Sequence, residues 1–191
     1  TISFSIIGYI DDMLIVVKKK NDGLAPRKKL MLQILFSVIF YILVTFIYKD
    51  VNYIHIPVFD YNLNISYFYI IFLVFWQTGF SNAVNLTDGL DGLAGGTSAV
   101  AAIAFSVIGL MAASMTNSIG AESVAYFGAI IAAVCLGFLV YNVNPAKVFM
   151  GDTGSLALGG AFAAMAILTK TELLLVVIGG IFVMEALSVI I

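Results

Sequence analysis

Residues 30–48 read LMLQILFSVIFYILVTFIY, nineteen positions without one charged side chain. At about 1.5 Å of rise per residue, a helix of that length covers most of the roughly 30 Å hydrocarbon core of a bilayer. Lipid offers no partners to backbone N–H and C=O groups, so the segment must satisfy its own, and a helix does this. Pro26 is well placed to open that helix, because the N–H it lacks is not needed in a first turn.

Working outward, comparable apolar stretches cover 67–81, 94–115 and 123–141, followed by a pair at 156–168 and 173–191 around a short polar break. That makes five spans, or six if the pair is two helices. The composition agrees: 62% of the 191 residues are hydrophobic and 10% charged, against roughly 25% charged in a soluble domain. The expected fold is all-α, a polytopic transmembrane helix bundle forming a single membrane domain over 1–191. The first apolar stretch, 1–10, is too short to cross a bilayer, no Met opens the chain, and 173–191 ends without a polar flank. The chain is therefore expected to be truncated at both ends, with an N-terminal stub before its six helices. The segment 51–64, VNYIHIPVFDYNLN, alternates bulky and polar residues around Pro57 and predicts a short β-hairpin on the outer surface, carrying the one histidine, His55. Cys135, the single cysteine, sits among Ala, Val and Leu and reads as a packed thiol.

Successive polar connections alternate between the two membrane faces. Lys18, Lys19, Lys20, Arg27, Lys28, Lys29 and Lys147 fall on one face, and Lys49 and Lys170 on the other, so the positive-inside rule makes the first face cytoplasmic. The same alternation sends Asp11, Asp12, Asp88, Asp91 and Asp152 to that face. An aspartate at a bilayer centre costs about 3 kcal/mol on insertion scales, so five of them must line a polar cavity or the interface. A nucleic-acid partner is excluded by the shortness of the basic loop and a pI of about 5.1.

Three constellations can carry chemistry. In NAVNLTDGLDGLA, 82–94, an amide or acid recurs at every third position, Asn82, Asn85, Asp88 and Asp91. A three-residue step turns a helix face by about 300°, so these groups cannot meet one ligand unless the helix ends, and Gly89 and Gly92 provide an ending. In FMGDTGS, 149–155, glycines flank an acid before an apolar helix, which suits a Mg²⁺–phosphate pair or a plain helix cap. Asp11 and Asp12 precede the basic loop and point about 100° apart, so they need not share a task. Phe149 stands where a base could stack. Glu185, within the last apolar stretch, belongs to none of these groups.

Together, Asp11-Asp12, NAVNLTDGLDGLA and KVFMGDTGSLALGG, 147–160, resemble the polyprenyl-phosphate N-acetylhexosamine-1-phosphate transferase superfamily, over nearly the whole chain in order and spacing. They look more like its phospho-N-acetylmuramoyl-pentapeptide transferase branch than its GlcNAc-1-phosphate branch. The resemblance implies transfer of phospho-MurNAc-pentapeptide from UDP-MurNAc-pentapeptide to undecaprenyl phosphate, giving lipid I and UMP in peptidoglycan synthesis. It also implies Mg²⁺, a bacterial plasma membrane with the active site on the cytoplasmic face, and a homodimer. On this likeness Asp152 matches the magnesium-binding aspartate, and Asp11 and Asp12 the paired acids, one of them a base toward the lipid phosphate. Asn82, Asn85, Asp88, Gly89, Leu90 and Asp91 match the wall near the nucleotide, Asn142 and Phe149 the uridine side, and Lys29 the lysine of a G-L-x-x-x-x-K pattern. The chain departs from the family where an aromatic and a lysine follow the acid pair, since Met13 and Ile15 stand there. The family's histidine-rich loop falls beyond Ile191, and the chain by itself is expected to be inactive. The competing readings are a sibling transferase using UDP-GlcNAc and, from another class, a cation transporter.

Overall fold

The computed structural model describes residues 1–18, 23–48, 51–116 and 119–191. Lys19, Lys20 and Lys49, counted above toward membrane orientation, lie outside the described residues. Helix α1 (Ile2–Lys18) is followed by α2 (Pro26–Ile47), which begins on Pro26 as the sequence predicts. The expected hairpin is present: β1 (Tyr53–Ile56) pairs antiparallel with β2 (Tyr61–Asn64), with Tyr53 opposite Asn64 and Ile56 opposite Tyr61. A single 3-10 turn then leads into α3 (Tyr69–Thr87), which is followed by α4 (Leu93–Thr116), α5 (Ile119–Asn142) and α6 (Gly151–Thr169). The chain ends in α7 (Glu172–Ile178) and α8 (Gly180–Ile190). Among the described residues five helices are long and apolar enough to cross a membrane, and α7 with α8, bent by 78°, brings the number to six when the pair is counted as one span.

Helix α6 is the hub. Its spanning segment is 61% buried, against 17% for α2, so α6 packs among helices while α2 leaves most of its surface exposed. Small residues let α6 approach its neighbours closely, since a Cβ on Gly159 would lie 2.4 Å from the Phe80 carbonyl oxygen of α3. Ser81 Oγ donates to the Leu156 carbonyl across the same crossing at 3.1 Å. Stacked rings of Phe105, Phe162 and Phe182 tie α4, α6 and α8 together. Trp76 stacks on Phe72, and Cys135 is buried, a packed thiol as the sequence suggests.

Two helix boundaries differ from the sequence reading. Helix α3 runs to Thr87, not 81, so Asn82 and Asn85 are helical, and α6 starts at Gly151, so Asp152 lies in its first turn instead of in a preceding loop. The added polar turns have partners inside the bundle, Asn85 with Asp152 and Ser155 and the Thr153 N–H with Asp12, so both helices extend beyond their apolar runs.

At the end of the bundle that carries the hairpin, the α6–α7 turn holds a polar cluster. Lys170, left-handed at φ 57°, donates from Nζ to the carbonyls of Val51 (2.6 Å) and Tyr53 (3.2 Å) and to the Tyr69 hydroxyl (3.1 Å). It lies 3.8 Å from Glu172 Oε1, which also accepts from the Tyr69 hydroxyl at 2.7 Å. Glu172 is fully buried and its Oε2 has no partner among the described residues. The sequence reading counted 169–172 only as a short polar break.

Candidate active site

The opposite end of the bundle gathers the acids. Asp12, on α1, reaches the N-terminus of α6, where its carboxylate accepts from the Asp152 N–H (3.2 Å), the Thr153 N–H (2.9 Å) and the Thr153 hydroxyl (2.6 Å). Helix α6 has no side-chain cap of its own, so an acid 140 residues away in sequence supplies it, on the side of the helix where its dipole favours negative charge. Gly151, at φ 66°, makes the turn into α6, and a Cβ there would press on the Asp12 carboxylate at 2.9 Å.

Asp11 has a different task. Its Oδ1 accepts from the Leu24 N–H at 2.6 Å, while its Oδ2 faces Lys29 Nζ at 3.9 Å. The neighbouring acids thus split their roles, as their angular separation allows. Lys29 forms a close ion pair with Asp152 Oδ2, whose other oxygen accepts from Asn85 Nδ2 at 2.7 Å. Asn85 also donates to Ser155 Oγ at 2.9 Å, and Ser155 returns to the Gly151 carbonyl at 2.8 Å. Asp88 caps the C-terminus of α3 beside this group. Burial pushes its carboxyl up to about 6; the Gly151 N–H opposes that shift, and the charges of Asp152 and Asp12 add to it. Asp11, Asp12, Lys29, Asn85, Asp88 and Asp152 are therefore brought together from α1, α2, α3 and α6.

The remaining expected residues are placed otherwise. Asn82 turns toward α2, where its amide pairs with Gln33. Asp91 accepts from Asn144 Nδ2 (3.1 Å) and the Ala146 N–H (3.0 Å), and Asn142 accepts from the Gly92 N–H (3.0 Å) while donating to the Val148 carbonyl (2.9 Å). These two residues knit the α3–α4 and α5–α6 loops together. Gly89 and Leu90 are exposed on that surface, and Phe149 is 71% exposed, free to stack on a ligand. The expected end of α3 before Gly89 is observed, yet the four polar groups of 82–91 reach four different partners and do not meet at one point.

A cavity of about 1110 Å³ opens between α1, α2 and α3. Its polar wall includes Asp11, Lys29, Gln33, Asn82 and Asn85, and its apolar wall includes Leu14, Ile15, Leu30 and Leu86. Ile15 is thus a wall residue, while Lys18 and Lys28 also face the cavity and bring the cations that this position lacks. Leu30 is shared with an apolar groove of about 450 Å³ between α2 and α3 that includes Ile34, Val38, Ile71 and Phe75. The sequence reading missed Gln33 and, while it singled out the stretch 149–155, gave Thr153 and Ser155 no task of their own. Gln33 had a signal, being the one amide in the apolar run 30–48.

Gly8 lies one turn before Asp12 on α1, and a Cβ there would fall 2.1 Å from the Asp152 carbonyl oxygen. Gly8→Ala is expected to push α1 off α6 and withdraw Asp12 from the α6 N-terminus, destabilising the fold by about 1–3 kcal/mol as overpacking does. Thermal unfolding in nanodiscs checks this, and an unchanged midpoint would show that the crossing can relax.

A model of the glycosyl transferase family 4 matches residues 1–170. The chain belongs to glycosyl transferase family 4. Within this family, it is similar to the phospho-N-acetylmuramoyl-pentapeptide-transferases of Staphylococcus epidermidis (50% identical over 99% of this chain), Staphylococcus aureus (51% over 99%) and Staphylococcus carnosus (49% over 100%). The chain spans 57% of the length of the first two relatives and 58% of the third. With its spanning helices, this family 4 chain is a multi-pass membrane protein.

Proposed function

We propose that the full-length protein transfers phospho-MurNAc-pentapeptide from UDP-MurNAc-pentapeptide to undecaprenyl phosphate, releasing UMP and forming lipid I. The observation that carries this reading is the cavity whose one wall is Asp11, Lys29 and Asn85 and whose other wall is apolar and continues toward a lipid-facing groove. Such a cavity suits one water-soluble anionic substrate and one phosphate carried on a hydrocarbon chain. The names of the relatives supply the identity of donor and acceptor. The basic residues of the α1–α2 connection support a cytoplasmic site in the plasma membrane.

In this mechanism an oxygen of the lipid phosphate forms a bond to the sugar-bearing phosphorus, and the bond from that phosphorus to the UMP oxygen breaks. Little covalent chemistry is left for the protein, so positioning and charge neutralisation dominate. Lys29 is the cation already held beside the reacting region by Asp152 and Asp11. Asp12 is committed to the α6 N-terminus, which leaves Asp11, on the cavity wall, to receive a proton from the incoming phosphate. We favour a single in-line displacement over a covalent intermediate.

Among the described residues no three His, Cys, Asp or Glu side chains form a closed metal cage. Mg²⁺ needs none, because it is held by one or two carboxylates together with substrate phosphates and water. Asp152, with Asp88 close by, fits that role. When bound, the ion would neutralise the diphosphate and ease departure of UMP.

UMP release by the full-length protein in nanodiscs, with undecaprenyl phosphate and either UDP-MurNAc-pentapeptide or UDP-GlcNAc, tests the proposal. Release that needs Mg²⁺, lipid and the muramoyl donor is expected. Turnover of UDP-GlcNAc instead would move the chain to the sibling branch, and no release from a folded sample with either donor would overturn the transferase reading.

A further inference from the structure

Gln33 is 1% exposed, and its amide makes a closed two-bond ring with Asn82: Nε2 donates to Asn82 Oδ1 at 3.2 Å and Oε1 accepts from Asn82 Nδ2 at 3.0 Å. Asn82 Nδ2 also donates to the Thr78 carbonyl at 2.8 Å, which ties the ring to the backbone of α3. Gln33 follows Lys29 by four residues on α2, and Asn85 follows Asn82 by three on α3, so each pair shares a helix face. The two helices run antiparallel in sequence order, α2 away from the acid end and α3 toward it. The contacts therefore form two rungs: Gln33 with Asn82 below, and Lys29 with Asp152 and Asn85 above.

We propose that Gln33 is a positioning residue, whose amide ring with Asn82 sets the axial register of α2 against α3 and so delivers the Lys29 ammonium to Asp152. An apolar pair at this level would pack equally well at several sliding offsets, because dispersion contacts have no direction, whereas a two-bond amide ring closes in one register only. The upper rung has no such internal ruler: Lys29 reaches Asp152 through a flexible four-carbon stem. Displacements of about 1 Å cost up to about 100-fold in rate when a catalytic group must meet a reacting centre, so register is a catalytic quantity here. The catalytic consequence rests on the transferase reading above; the register itself does not.

The test uses the full-length protein in nanodiscs with Gln33→Leu, which fills the same volume, and with the exchanged pair Gln33→Asn plus Asn82→Gln. Two readouts are taken: kcat and KM for donor and lipid, and the rate at which acetic anhydride labels Lys29, read by mass spectrometry. In Gln33→Leu, kcat is expected to fall roughly 10- to 100-fold with both KM values within about twofold. Lys29 labelling is expected to rise as its ion pair loosens, and the exchanged pair is expected to restore both. Unchanged kcat and labelling in Gln33→Leu would overturn the proposal. So would a fall in kcat that tracks a lowered unfolding midpoint and is not recovered by the exchange. Faster labelling restored by the exchange, in a protein that turns over neither donor, would uphold the register role while removing the transferase reading.

Discussion

Asp152→Asn is expected to lower UMP release by about 10²- to 10³-fold, or roughly 2.7–4 kcal/mol of transition-state stabilisation. The substitution preserves shape, so the loss isolates charge and hydrogen-bond polarity. In the native site both oxygens accept: Oδ1 from Asn85 and Oδ2 from Lys29. An amide in that place must turn its NH₂ toward one of two donors, whichever way it flips. Lys29 then loses the partner that holds it, and the divalent cation proposed to bind here would lose its first carboxylate. Titration of Mg²⁺ against initial rate in nanodiscs separates these consequences. The variant should show a weakened or absent metal response along with its low rate; activity within tenfold of the native protein, with an unchanged metal response, would remove Asp152 from the cation-holding role.

Lys170→Met should destabilise the opposite end of the bundle by about 3–5 kcal/mol, the range for leaving one member of a buried ion pair without its partner. The ammonium serves the Val51 and Tyr53 carbonyls, the Tyr69 hydroxyl and Glu172, and methionine can serve none of them. Neither carbonyl would keep that donor, and the Glu172 carboxylate would remain fully buried with only Tyr69. The unfolding midpoint in nanodiscs reads the loss, and adding Glu172→Leu to Lys170→Met should recover a large part of it. A lone Lys170→Met protein as stable as the native one would show that water reaches this cluster. The pH dependence of the native protein carries a further signature. Burial pulls the Lys170 ammonium down to about 8, despite the opposing attraction of Glu172. The unfolded chain, with an ordinary lysine pKa of about 10.4, therefore holds more protons than the folded one across pH 8–10. Stability from this group accordingly rises with pH through that window, a slope the Lys170→Met variant should lack.

The outer cluster also shows why some groups were not legible beforehand. Sequence distance hides it: Lys170 and Glu172 are a turn by their local pattern, and only the hairpin folding over them, with Tyr69 and the Val51 carbonyl, makes them a buried pair. Asn82 and Asn85 show a related limit. Their three-residue spacing puts them one turn apart on the same flank of a helix, but does not say which neighbour each would meet, because those partners lie 49 and 67 residues away. Asp12 is the clearest case. Next to Asp11 it reads as an acid free to take a different task, without showing which one, and the crossing of α1 over α6 at Gly8 makes it the cap of another helix.

What the amino-acid order determined by itself is what depends on local physics. Apolar length measured against bilayer thickness set the number of spans, Pro26 set where α2 begins, alternation around Pro57 set the outer hairpin, and the run of polar connections sent Asp11, Asp12, Asp88 and Asp152 to one end. Pairing came from the packing of the helices: Lys29 with Asp152, Asp12 with the α6 N-terminus, Gln33 with Asn82, Lys170 with Glu172. The physical reason is that a helix fixes the direction of each side chain relative to its own axis, while its rotation and register against other helices come from packing, through close crossings such as Gly8 on Asp152 and Gly159 on Phe80.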